Sequence, residues 1–123
     1  MDQPKAKNIP TVFVVFGATG DLMAKKITPA LFHLYKKEKL PKLFKIIGFS
    51  RRDFSQEDFK DHVRMILAEH KGKFKTEDVE KFLNYFVYQK GTFGDFASYK
   101  SLAEFLGNTD GEWRVCSNKL FYL

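Results

Sequence analysis

Five apolar residues in a row, Val12 to Phe16, run directly into Gly17-Ala18-Thr19-Gly20. An unbroken apolar run of this length that ends in turn formers predicts a parallel strand buried on both faces, spanning about Thr11 to Phe16. Past the turn the polar and apolar positions change to helical spacing. Asp21 opens a short helical segment, and Thr28 followed by Pro29 predicts an N-cap with proline at the first helical position, restarting the helix. Leu31, Leu34 and Tyr35 then share one face as far as about Lys37, with Leu40-Pro41 as the exit. Lys45 to Ser50 predicts a second strand. Ser55, with Asp58 three residues on, gives a capping-box start to a helix whose apolar stripe is Phe59, Val63, Ile66 and Leu67 and which reaches about His70. A further helix is expected from Thr76, with Val79, Phe82, Leu83 and Phe86 on one side. The pattern turns strand-like around Phe86 to Gln89 and breaks at Gly91 and Gly94. Asp95 to Leu106 predicts a last helix carrying Phe96, Tyr99, Leu102, Ala103 and Leu106 inward. Gly107 is its expected stop and Asn108 to Gly111 a turn. Lys119 to Leu123 closes the chain as another apolar β-type run.

This order of strands and helices predicts an α/β fold with a parallel sheet and right-handed crossovers, the first half of a doubly wound, Rossmann-like domain. Residues 1–10 are expected to be a flexible N-terminus and 11–123 a partial nucleotide-binding domain. A domain rarely stops at a buried strand with nothing to cover it, so the chain reads as the front piece of a longer protein with its substrate domain absent.

Composition narrows this picture modestly. With 123 residues, 44% of them hydrophobic and 16% aromatic, the chain has ample material for one packed core. Its net charge of +6 comes from 21 basic residues spread among 15 acids. That distribution favours a domain handling phosphorylated small molecules over one binding nucleic acid. The single cysteine, Cys116, cannot form an internal disulfide, and no signal-like segment precedes the first strand, so a cytoplasmic setting is expected. No apolar run approaches the roughly 18 residues that a membrane-spanning helix needs.

The candidate chemistry lies at the glycine turn and at the end of the second strand. Gly17 and Gly20 put no side chain between backbone and ligand, so turn amides can approach a pyrophosphate and the positive end of the following helix can stabilise it. Met23 stands where the commonest dinucleotide fingerprint has its third glycine. In doubly wound folds the second strand ends beside the adenosine ribose, where an acid accepts from a 2′-hydroxyl and an arginine holds a 2′-phosphate. Here that residue is Arg51, with Arg52 next. A guanidinium meets a phosphate with two charge-assisted hydrogen bonds, so Arg51 predicts NADP over NAD, and the Thr19 hydroxyl can reach the same phosphate. The Gly91 to Gly94 stretch is placed to border the adenine. The plain structural alternatives are a ligand-free strand-to-helix turn and a solvated strand-end arginine. His33, His62 and His70 fall on helices as surface or packing residues, Cys116 lacks metal-ligand spacing, and no Gly-x-Ser-x-Gly is present. No catalytic base and no metal site is therefore expected within the chain.

Phe16-Gly17-Ala18-Thr19-Gly20-Asp21-Leu22, followed by Lys26 and Pro29-Ala30-Leu31, resembles the N-terminal signature of the glucose-6-phosphate dehydrogenases. So do Ile47-Gly48-Phe49-Ser50-Arg51 and the closing Asn118-Lys119-Leu120-Phe121-Tyr122-Leu123. The resemblance runs from about Val12 to the last residue. It implies that Gly17, Ala18, Thr19, Gly20, Asp21 and Leu22 cradle the cofactor diphosphate, that Thr19 and Arg51 bind the 2′-phosphate of NADP, and that Lys26 lies near the catalytic centre. The implied reaction is NADP-dependent oxidation of glucose 6-phosphate to the 6-phospho lactone, in the pentose phosphate pathway, by a complete protein that is a homo-oligomer. In that family the catalytic histidine sits in an Asp-His-Tyr-Leu-Gly-Lys segment that this sequence does not contain. Two other readings are weighed beside it. A non-catalytic NADP-sensing module also begins with Gly-Ala-Thr-Gly after a strand, but normally has glycine where Met23 stands. An RNA-binding domain would need aromatics on the open face of a sheet.

Overall fold

The computed structural model describes residues 9–20, 23–69, 74–92 and 94–122. Four strands, β1 (Thr11–Phe16), β2 (Phe44–Ser50), β3 (Phe86–Lys90) and β4 (Asn118–Tyr122), form one sheet in the order β3-β2-β1-β4 with every pairing parallel. The helices are α1 (Thr28–Lys36), α2 (Gln56–Glu69), α3 (Thr76–Leu83) and α4 (Phe96–Trp113), and a π-helical turn at Met23–Ile27 leads into α1. The predicted α/β architecture is thus the observed one.

β1 lies between β2 and β4, which explains its unbroken apolar run: its alternate residues feed two different cores. Val15 joins Ile46, Phe32, Phe59, Phe82 and Phe86 on the side covered by α1, α2 and α3. Val12 and Val14 join Ile47, Leu102 and Leu106 on the side covered by α4. All three valines are buried almost completely. β3, the outer strand next to β2, is shielded by a side chain from α2. The Gln56 amide donates to the Tyr88 carbonyl at 2.7 Å and accepts from the Tyr88 amide at 2.8 Å, taking the place of a neighbouring strand for one residue.

The capping box at the start of α2 forms in both directions, Asp58 N–H to Ser55 Oγ and Ser55 N–H to Asp58 Oδ2, each at 3.0 Å. Asp95, expected as the first helical residue, is instead the N-cap of α4 and accepts from Ala97 N–H at 3.3 Å.

Several local expectations are corrected. Thr28 does not cap a restarted helix: the chain is already helical at Ile27, and Thr28 is fully buried with no side-chain cap bond. Pro29 lacks the amide that would bond the carbonyl four residues back, and the widened turn at Met23–Ile27 gives its ring room without ending the helix. The inward residues of α1 are Thr28, Leu31 and Phe32, while Leu34 is exposed. Phe86 belongs to β3, where it meets Phe82 edge-on at 5.0 Å.

The largest difference is in α4, which passes straight through Gly107 and Gly111 and ends only at Arg114, a non-glycine residue in the left-handed conformation (φ 57°). Two anchors carry it past the glycines. Thr109 is buried, and the Asp110 carboxylate accepts from Ser117 N–H (3.1 Å), Ser117 Oγ (2.6 Å) and Lys119 Nζ (2.7 Å), tying the helix to the start of β4. Phe96, expected inward, is exposed at the first turn, and Ala103, also expected inward, is exposed two turns further on.

Candidate functional site

The carboxyl ends of β1, β2 and β3 open onto one cleft of about 460 Å³, lined by Phe16, Gly17, Thr19, Gly20, Phe49, Ser50, Arg51, Arg52, Gly91 and Thr92. Ligands of open α/β sheets bind at this end of the strands. The sheet therefore gathers three separately predicted features: the glycine turn, the arginine pair and the Gly91 segment.

The turn after β1 is held by its own hydrogen bonds. Gly17 N–H and Ala18 N–H both donate to the Phe49 carbonyl, at 2.8 and 3.3 Å, and Gly20 N–H donates to the Gly17 carbonyl at 2.9 Å. Gly17 has φ +73°, where a side chain would be strained. These bonds fix the turn against the end of β2 and occupy three amides that the sequence offered to a phosphate. The Thr19 amide and hydroxyl carry no hydrogen bond to another described residue, and Thr19 faces the cleft. Asp21 and Leu22 lie outside the described residues, as does His70.

Arg51 and Arg52 are exposed on the opposite rim. Among the described residues no carboxylate pairs with either. This contrasts with Arg64 on α2, which bridges Glu80 of α3 and Asp61, the Glu80 hydrogen bond raising its pKa above the ordinary guanidinium range. The Arg52 guanidinium lies over the Phe54 ring, 6.0 Å from its centroid, and the two arginines without a carboxylate partner beside the cleft favour an anionic ligand.

The loop bearing them rests on Tyr88. Tyr88 Oη lies 2.6 Å from Ser50 Oγ and 2.5 Å from the Arg52 carbonyl, and Arg52 N–H lies 3.3 Å from Ser50 Oγ. No pattern in the sequence marked Tyr88, since nothing local links residues 38 positions apart.

Lys26 is exposed on the π-helical turn and is not among the cleft-lining residues. His33 is exposed on α1. His62 packs on the Phe54 ring, 5.8 Å between centroids, and burial, then the nearby Arg52 charge, lower its pKa. Neither histidine lines the cleft. Among the described residues no cluster of His, Cys, Asp or Glu could hold a metal ion, and no helix is long and apolar enough to cross a membrane.

The family model described as glucose-6-phosphate dehydrogenase, NAD binding domain, matches residues 14–123. The chain belongs to the glucose-6-phosphate dehydrogenase family.

Among curated relatives, it is 36% identical over 116 residues to a glucose-6-phosphate 1-dehydrogenase of Chlamydia muridarum, covering 93% of this chain and 23% of the relative. It is 37% identical over 115 residues to glucose-6-phosphate 1-dehydrogenase 2 of Mycobacterium bovis, covering 93% of this chain and 22% of that protein. A solved glucose-6-phosphate dehydrogenase in complex with its substrate glucose 6-phosphate superposes with a TM-score of 0.85 at 34% identity, over 98% of this chain and 25% of that one. The chain thus spans about a quarter of the length of these dehydrogenases. The matched domain takes a nicotinamide cofactor, which agrees with a cleft at the strand ends beside a glycine turn.

Proposed function

We propose that residues 11–123 are the NADP-binding portion of a glucose-6-phosphate dehydrogenase, and that the complete protein oxidises glucose 6-phosphate to the 6-phospho lactone. In that reaction a hydride leaves C1 for the nicotinamide while the C1 hydroxyl gives its proton to a base. The observation that carries the choice of NADP is Arg51, exposed at the cleft beside Arg52 and without a carboxylate partner among the described residues. Arg51 meets the 2′-phosphate, with Thr19 donating from across the cleft. The diphosphate rests on the segment from Gly17 to Leu22. Because the Gly17, Ala18 and Gly20 amides are engaged, Thr19 is its donor among the described residues of the turn. Lys26 stands nearer the reacting carbon. Among the described residues neither His33 nor His62 lines the cleft, so neither is assigned as that base.

The test is NADPH formation with glucose 6-phosphate by the complete protein carrying this chain, compared with its Arg51→Ala variant. A charged bidentate contact contributes roughly 1.5 to 3 kcal/mol, so the variant should need about ten to a hundred times more NADP while its use of NAD barely changes. Equal losses for both cofactors would remove Arg51 from the 2′-phosphate site. A complete protein that binds NADP but does not turn over glucose 6-phosphate would be a sensor.

A further inference from the structure

We infer that Tyr88 is a positioning residue for cofactor discrimination: its hydroxyl closes a hydrogen-bond circuit that holds the Arg51–Arg52 loop in the conformation that reads a 2′-phosphate. The inference rests on the NADP reading above and adds the part of the fold that makes it selective.

Carbonyls can only accept, and Tyr88 Oη faces two of them, Arg52 C=O at 2.5 Å and Ser50 C=O at 3.3 Å, so its proton goes mainly to the nearer one. The 2.6 Å contact between Tyr88 Oη and Ser50 Oγ then has Ser50 as donor. The Ser50 oxygen in turn accepts from Arg52 N–H at 3.3 Å. Each donor is used once and each oxygen accepts at least once. Arg51 lies between the two residues so held. Its neighbours are fixed through Ser50 Oγ and through both backbone groups of Arg52, while the Arg51 side chain itself stays exposed.

The circuit also reaches the β3 side of the cleft. Ser50 C=O accepts from Gly91 N–H at 2.8 Å, so the segment carrying Gly91 and Thr92 is tied to the same residue. Tyr88 has little freedom to move. It is 4% exposed, its ring packs on Phe59 (5.0 Å) and Phe54 (5.6 Å), and its backbone is clamped by Gln56. A hydroxyl on a ring held this firmly can fix an exposed loop whose ion pair, Asp53 with Lys90 at 3.6 Å, lies open to solvent and restrains it little. An arginine whose backbone is pre-set loses less freedom when it engages a phosphate with two hydrogen bonds. NAD, which lacks the 2′-phosphate, gains nothing from that ordering. Tyr88 therefore affects one cofactor and not the other, which a general packing role would not do.

The experiment measures dissociation constants for NADP and NAD on the complete protein and on its Tyr88→Phe, Ser50→Ala and Arg51→Ala variants, with thermal unfolding as the check on folding. Tyr88→Phe keeps the ring and removes the proton donor. It should weaken NADP about three- to tenfold, less than outright loss of Arg51, and leave NAD within about twofold. Ser50→Ala opens the circuit at two of its three bonds and should lower the NADP-to-NAD preference at least about threefold. Either folded variant with an unchanged preference, or with equal losses for both cofactors, overturns the positioning role. If Arg51→Ala also leaves the preference unchanged, the 2′-phosphate reading falls with it. If only Arg51→Ala changes it, that reading stands and the inference about Tyr88 alone is wrong.

Discussion

Replacing Gly48 with alanine should destabilise the protein through one identifiable collision. Gly48 sits in β2 beneath α2, and a Cβ there would lie 2.4 Å from Phe59 Cζ, 2.9 Å from Phe59 Cε2 and 2.9 Å from Ala18 Cβ. Ordinary contact begins at 3.4 Å, so the Phe59 ring must retreat by about 1 Å. It has nowhere to go: Phe59 is 1% exposed, with Phe86 at 5.9 Å and Tyr88 at 5.0 Å between centroids. Overpacking of this kind costs about 1–3 kcal/mol. For a domain of this size that corresponds to a fall in Tm of about 3–5 °C per kcal/mol. The second contact is with the glycine turn, so the same change should also weaken nucleotide binding. A double-mutant cycle isolates the collision. Phe59→Leu alone leaves a cavity and destabilises, whereas in the presence of Gly48→Ala it removes the colliding Cζ. The double variant should be more stable than the sum of the two single losses by at least about 1 kcal/mol. Thermal and urea unfolding of the four proteins measures this. Additive losses, or an alanine at position 48 that is tolerated without loss, would show that α2 does not press on β2 as described.

Two further outcomes are expected. Gly20→Val should abolish nucleotide binding by the complete protein while leaving its circular dichroism nearly unchanged, because the new Cβ lies 3.3 Å from the Gly17 carbonyl and its branches fill the mouth of the turn; a folded variant with normal NADP affinity would place the phosphate elsewhere. The Asp110 carboxyl is held down to about 2 by the Lys119 hydrogen bond and then by Ser117, below its ordinary value near 3.8. A depressed carboxylate contributes its full stability above the unfolded pKa and loses it as pH falls through the folded one. The difference in Tm between the wild type and Asp110→Asn should therefore be constant above about pH 5 and shrink between about pH 4 and pH 2. A gap that does not change with pH would mean that Asp110 acts through shape alone.

Much of the site was legible in the sequence because the signals are local. The run from Val12 to Phe16 demanded a doubly covered strand, Ser55 and Asp58 are three residues apart and close their own box, and Arg51 follows the last residue of a strand. Parallel pairing then delivered the glycine turn and Arg51 to one cleft. What the sequence could not decide depends on partners outside the element itself. Gly107 and the Asn108 to Gly111 segment have the local chemistry of a helix end, yet α4 continues. Burial of Thr109 and the hold of Asp110 on Ser117 and Lys119 outweigh a glycine penalty of about 1 kcal/mol each. Leu34 and Phe32 fit a helical stripe about equally well by spacing. Only the position of Phe74 and Phe82 against α1 selects Phe32. The glycine turn advertised free amides, but the end of β2 takes two of them through the Phe49 carbonyl. Tyr88 joins the site only because β3 lies beside β2, which brings its hydroxyl to a serine 38 residues earlier. Spacing and capping act within a few residues and can be read directly, whereas the competition between a local signal and a distant contact is resolved only when the sheet has brought both to the same place.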